Sequence, residues 1–231
     1  MKNEVLFEDN HVIVVNKLPG DIVQADKTKD VPLREAVQNY LKVKYNKPGN
    51  VFAGLVHRLD RPVSGVVVFA RTSKALTRLN QIFSQREVKK VYWAVVDKAP
   101  SNPEGHLVNY LRKNERQNKS YVVDENTKDA KRAELKYKLV AESDRYFLIE
   151  VELLTGRHHQ VRAQLAKINC RIKGDLKYGA ARSNPNGSIH LHARRVEFTH
   201  PVTKEKLVII ARPPKDPIWD HFNKIMASNE S

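Results

Sequence analysis

Residues 54–71 read GLVHRLDRPVSGVVVFAR. Gly65 to Ala70 is a continuous apolar run too short for a typical helix, so it reads as a strand buried on both faces. Pro62, Ser64 and Gly65 supply the turn chemistry that stops a loop against that strand. The loop carries His57, Arg58, Leu59 and Asp60, and rigid scaffolds present reactive groups on loops that run into a central strand. Asp60 stands between Arg58 and Arg61, and a nearby cation favours the ionised carboxylate. A carboxylate held in that state is a competent nucleophile or base. The bland alternative is a surface ion pair worth about 0–1 kcal/mol.

Working outward, HVIVVN at 11–16 is a β-branched run stopped by Pro19-Gly20. Leu33, Ala36, Val37, Tyr40 and Leu41 fall at helical spacing over 33–45, and Pro48-Gly49 ends that segment. Ser73 is expected to cap a helix that shows Leu76, Leu79 and Phe83 on one face, through about Gln85. Val91 to Val96 is a strand with Tyr92 and Trp93 on opposite faces. The polar stretch 97–130 is expected to be an excursion with one or two short strands, because it has too few apolar residues for its own core. Alternation returns over 133–140 and 147–154, around a hairpin turn at 142–145. A helix is expected from His158 to Ile168, with strands near 189–198 and 206–211. The whole reads as an α/β (α+β) fold, a single domain over 1–212 with a largely antiparallel central sheet flanked by a few helices. Residues 213–231 read as a tail holding one short, frayed helix.

The 231 residues include 41 Lys and Arg against 26 Asp and Glu, a formal charge of 41 − 26 = +15. The cations are spread over the chain: Arg112, Lys113 and Arg116; Lys131 and Arg132; Arg194 and Arg195. That distribution suits a folded domain presenting a basic face to a polyanion, whose condensed counterions such a face displaces. No apolar run approaches the roughly 20 residues needed to span a bilayer, and the first residues lack a signal-peptide pattern. The chain is therefore expected to be soluble and cytoplasmic, with no membrane partner. Its one cysteine, Cys170, excludes an intramolecular disulfide and a cysteine-rich zinc site.

A second constellation is Thr155-Gly156-Arg157-His158-His159-Gln160-Val161-Arg162. Thr155 is expected to cap the following helix, on which His158 and Arg162 are i, i+4 neighbours. Adjacent histidines invite a metal, but on a helix they point in different directions. No H-E-x-x-H or carboxylate spacing accompanies them.

These stretches together resemble the RluA-type RNA pseudouridine synthases. GLVHRLDRPVSGVVVFAR resembles the catalytic motif, EDNHVIVVNKLPG at 8–20 the opening strand and turn, and VKKVYWAVV at 88–96 the Lys-x-Tyr-x-Ala strand. LLTGRHHQVRAQLAKINCRIKGDLKYG at 153–179 and HLHARRVEFTHP at 190–201 follow in the family's order. The departures are small: Pro19 is shifted by one, Val63 stands where Thr is common, and Gln164 stands where His is common.

The resemblance implies isomerisation of a uridine in structured RNA, by breaking its C1′–N1 bond and rejoining the base through C5. Asp60 would start the reaction, at C1′ or as a base at C2′. Tyr92 would stack on the uracil, worth about 1–3 kcal/mol, and take part in proton transfer. Arg162 would pair with Asp60 and the flipped nucleotide. Arg58, with His57, Arg157 and His159, would serve RNA binding or base flipping, Arg58 by filling the place the extruded base leaves. His57 is expected to act mainly by packing or hydrogen-bonding the loop. No metal or organic cofactor is implied, since the substrate supplies every atom. The expected partner is an rRNA or tRNA hairpin, read by a monomer with its catalytic domain alone, because too few residues precede Asp9 for the S4-type module of some relatives. A catalytically silent RNA-binding domain on the same scaffold is the rival reading. A glycosidic hydrolase would need a second carboxylate, for which Glu87 and Asp175 qualify by type alone.

Overall fold

The computed structural model describes residues 1–25 and 30–229. They form two compact units, Met1–Lys89 with Ala193–Arg212, and Lys90–His192 with Pro213–Ser231. The fold class is the expected one, α/β with largely antiparallel strands and a few flanking helices.

In the first unit β1 (Glu4–Glu8), β2 (Val12–Lys17) and β4 (Ser64–Ala70) lie side by side, with the short β3 (Gly54–Leu55) also on β4. β10 (Leu191–Thr199) follows β4, and β11 (Lys206–Ile210) pairs with β10. All seven residues of β4 are buried, as its unbroken apolar run requires. One side packs Val12, Val14, Val66 and Val68 against Ala75 and Leu79 of α2 (Ser73–Ser84), together with Val196 and Phe198. The helix cap falls one residue earlier than expected. Thr72, not Ser73, has the extended backbone of a cap, and its Oγ1 accepts from the Ala75 N–H at 3.1 Å. α1 (Leu33–Lys44) buries Leu33, Val37 and Leu41, three of the residues whose spacing marked it. At Gly65 φ is +117° and a Cβ would lie 2.3 Å from the Ala193 carbonyl oxygen, so the head of β4 admits only glycine.

The second unit orders its strands β5 (Lys89–Val96), β9 (Phe147–Leu153), β8 (Lys131–Glu142), β6 (Glu104–Asn114) and β7 (Lys119–Val123), every neighbouring pair antiparallel. The hairpin turn after Glu142 is where the sequence places it, closed by the Ser143 N–H to the Tyr146 carbonyl at 2.9 Å. The excursion departs from expectation, because β6 is eleven residues long and continues into the hairpin with β7. Its burial is only partial, so the apolar signal that marks a strand is diluted, while pairing with β8 fixes the backbone.

α3 (Gln160–Lys167) starts two residues later than expected, after His159 in left-handed conformation (φ 53°, ψ 25°). It packs Ala163 against Leu111, Ala133 and Tyr178. The register places Tyr92 opposite Val151, and Val151 opposite Tyr137, on the side of the strands that carries Ala133 and hence α3. Trp93 faces the other way, 5% exposed, in a cluster with Val95, Leu148, Trp219 and Phe222. The last two belong to α4 (Pro217–Asn229), so the segment read as a frayed tail is a packed helix of this unit. Pro213-Pro214 reads as a break before one short, frayed helix, yet the apolar residues beyond it recur at helical spacing, and they pack along α4.

Candidate active site

Asp60 is half-buried at the head of a tight turn, its carbonyl accepting from the Val63 N–H at 3.0 Å. The turn is held from the first strand pair. The Gly20 N–H donates to the Arg61 carbonyl at 2.9 Å. Lys17, at the end of β2 and wholly buried, donates from Nζ to the carbonyls of Leu18 (3.0 Å), Arg61 (3.1 Å) and Val63 (2.6 Å). Burial drives its ammonium down to about 8, and the charges of Asp21 and Asp60 work against that fall. The Asp60 loop thus has an internal cation beneath it, a residue that sequence reasoning missed as functional. The available signal was a lysine closing an otherwise apolar strand directly before Leu18-Pro19-Gly20.

The neighbouring residues of the motif divide in role. Arg58 is exposed, whereas Arg61 turns aside to Asp30 at 2.6 Å. His57 is half-buried, stacked on Phe83 of α2 with ring centroids 5.2 Å apart, and its Nε2 accepts from the Val68 N–H at 3.2 Å. It ties the loop to both β4 and α2.

In the second unit Tyr92 is half-buried, on the same side of the strands as α3. Arg162 is 5% exposed and grips Asp175, itself 1% exposed, through Nε–Oδ2 at 2.7 Å and Nη2–Oδ1 at 2.8 Å. Such a forked pair fixes the plane of the guanidinium. Asp175, which qualifies as a site carboxylate in the sequence by residue type alone, is thus a buried partner of Arg162. Within its own unit, Arg162 takes Asp175 as its carboxylate.

Nη1 of Arg162 meets His159 Nε2 at 2.9 Å. His158 and His159 do not diverge as they would on a helix: their rings stack at 3.8 Å, because both precede α3. His159 is buried with both ring nitrogens occupied, and burial, then Arg162 and His158, push it down to about 2. Thr155 does not cap α3. Its Oγ1 donates to Gln160 Oε1 at 2.7 Å, an oxygen that also accepts from the Arg157 N–H at 3.0 Å. Gln160 therefore folds the Thr-Gly-Arg turn onto the helix. Arg157 spends its Nε on the Arg132 carbonyl at 2.9 Å. Gln164, at the position where His is common, is fully buried and donates to Asn109 at 2.8 Å, so the substitution is absorbed by β6.

The sequence profile described as RNA pseudouridylate synthase matches residues 11–167, a stretch that holds the Asp60 loop, Tyr92 and Arg162. The chain belongs to that family. Among relatives of this pseudouridylate synthase, the ribosomal large subunit pseudouridine synthase D of Zymomonas mobilis is 32% identical, over 99% of this chain and 74% of its own. The tRNA pseudouridine synthase C of Salmonella typhi is 32% identical, over 90% of this chain and 84% of its own. In fold, the structure titled Human RNA Pseudouridylate Synthase Domain Containing 4 superposes with a TM-score of 0.77 at 23% identity, covering 94% of this chain and 90% of that one. Among the described residues no helix of this family member is long and apolar enough to cross a membrane, and no group of His, Cys, Asp and Glu is placed to hold a metal ion.

Proposed function

We propose that this chain isomerises a uridine in a compact RNA hairpin, of tRNA or large-subunit rRNA, to pseudouridine. The observation that carries the reading is the family match, which contains a carboxylate held on a braced turn above a buried cation. In this reading Asp60 opens the reaction on the ribose–uracil unit. Tyr92 stacks on the base and its phenol handles a proton. Arg162 meets the flipped nucleotide, while exposed Arg58 occupies the place the base leaves and holds phosphate, at the few kcal/mol that extrusion costs. His57 and Arg157 hold the loops that bear these groups against the RNA. The protein works in the cytoplasm as a monomer.

Support for a ribosomal or transfer RNA target comes from the two kinds of relative, one named for the ribosomal large subunit and one for tRNA. The test is a pseudouridine map of total RNA from a strain with and without this gene, complemented by wild type or by Asp60→Asn. One or more sites should vanish with the gene, return with the wild type and stay absent with Asp60→Asn. The purified Asp60→Asn protein should still bind the RNA. An unchanged map, or a site restored by Asp60→Asn, refutes the assignment.

A further inference from the structure

Arg162 is held by more than its carboxylate. A guanidinium has only donors, so His159 Nε2, 2.9 Å from Nη1, must be the bare nitrogen of the ring, and Nδ1 carries the proton. Nδ1 then donates to Tyr178 Oη at 3.0 Å. That same oxygen accepts from the Ser120 N–H at 2.9 Å and passes its own hydrogen to the Ser120 carbonyl at 3.0 Å. Every hydrogen in this chain has one direction, fixed at its far end by backbone groups of β7 that do not ionise. The Tyr178 ring also lies 5.1 Å from the guanidinium carbon of Arg162. His159 reaches its place only in a left-handed backbone, which costs a non-glycine residue about 1–3 kcal/mol and persists where the surroundings over-determine it.

The forked pair with Asp175 holds the Nε and Nη2 edge of the Arg162 guanidinium, while His159 holds Nη1 and the Tyr178 ring lies near the guanidinium. We propose that His159 and Tyr178 are positioning residues for the isomerisation, which aim Arg162 through a single directed relay anchored on the backbone of Ser120. The proposal rests on the reading of Arg162 as a catalytic residue. It assigns work to Tyr178, to which the sequence motif alone gives no role, and it places His159 behind the arginine.

The experiment compares single-turnover isomerisation and RNA affinity in His159→Leu, His159→Gln, Tyr178→Phe, Arg162→Ala and the double variant His159→Leu/Arg162→Ala. His159→Leu should slow the reaction roughly 10- to 100-fold, the scale of a small misplacement of a reacting group, with RNA affinity little changed. His159→Gln retains an acceptor and should recover most of the rate. Tyr178→Phe keeps the ring and should show a smaller loss, and it decides the matter if His159→Leu does not fold. In the double variant, His159→Leu should add nothing to Arg162→Ala, because a positioning residue that acts through the guanidinium has nothing left to position. Additive losses, or a wild-type rate in both His159→Leu and Tyr178→Phe beside an inactive Arg162→Ala, would overturn the proposal. A wild-type rate in Arg162→Ala would instead remove the catalytic reading of Arg162, and the relay's role with it.

Discussion

Asp60 sits on a turn whose far side is gripped by Lys17 from another strand, so its position depends on a residue that never touches solvent. Lys17→Met would strip three carbonyls of their donor, each a loss of about 1–3 kcal/mol if left unsatisfied, against a gain from removing a buried charge. The turn should loosen, so turnover should fall about tenfold or more while RNA affinity changes less. Stopped-time assays of pseudouridine formation beside RNA titrations check this, and an unchanged rate would show that the turn holds itself. His159 gives a second prediction. In the unfolded chain it takes a proton near 6.5, whereas burial in the folded protein pushes it down to about 2. Between those values the unfolded state holds the extra proton. The stability that neutral His159 confers above pH 6.5 is therefore lost as pH falls toward 2, by up to about 1.4 kcal/mol per unit. Denaturation measured across that range should be flatter in His159→Gln. The motifs that hold Asp60, Tyr92 and Arg162, and with them the family, were legible from the sequence because each motif is dense and local. Lys17, Asp175 and Tyr178 were not, because what makes them matter is a partner distant in the chain.

At the level of elements, the strands and helices that could be read are those whose burial follows one period. β4 is buried throughout, and α1 shows its apolar residues along one side. β6 escaped because it is a half-exposed strand whose backbone order comes from β8, and the onset of α3 escaped because a left-handed His159 leaves no capping side chain to recognise. α4 was underread as a tail, although it supplies Trp219 and Phe222 to the cluster around Trp93. The consequence is measurable. Trp219→Ala should lower stability by about 3–5 kcal/mol, the range for deleting a buried aromatic. A shifted urea midpoint with unchanged slope is the expected result, and a shift below about 1 kcal/mol would return 213–231 to the status of a loose end.

For the whole molecule, the charge of +15 sets the terms on which RNA is met. The logarithm of RNA affinity should fall linearly with the logarithm of salt, with a slope of about −0.7 to −0.9 per phosphate contacted. Replacing one contacting lysine should shallow that slope by slightly less than one unit. Filter-binding or anisotropy titrations over a salt series check it, and an affinity indifferent to salt would assign recognition to stacking alone. The contact between Gly65 and Ala193 has a further consequence, for the newborn chain. The first unit is discontinuous, Met1–Lys89 with Ala193–Arg212, so β4 leaves the ribosome well before the strand that lies against it. At ordinary elongation rates the interval is on the order of 10 s. For that time β4 has β2 on one side, but the edge that β10 will take stays open along most of an uncharged, β-prone segment, the kind of edge that aggregates or recruits chaperones. Slower translation between those codons lengthens the exposure, and a circular permutant that joins the two pieces removes it.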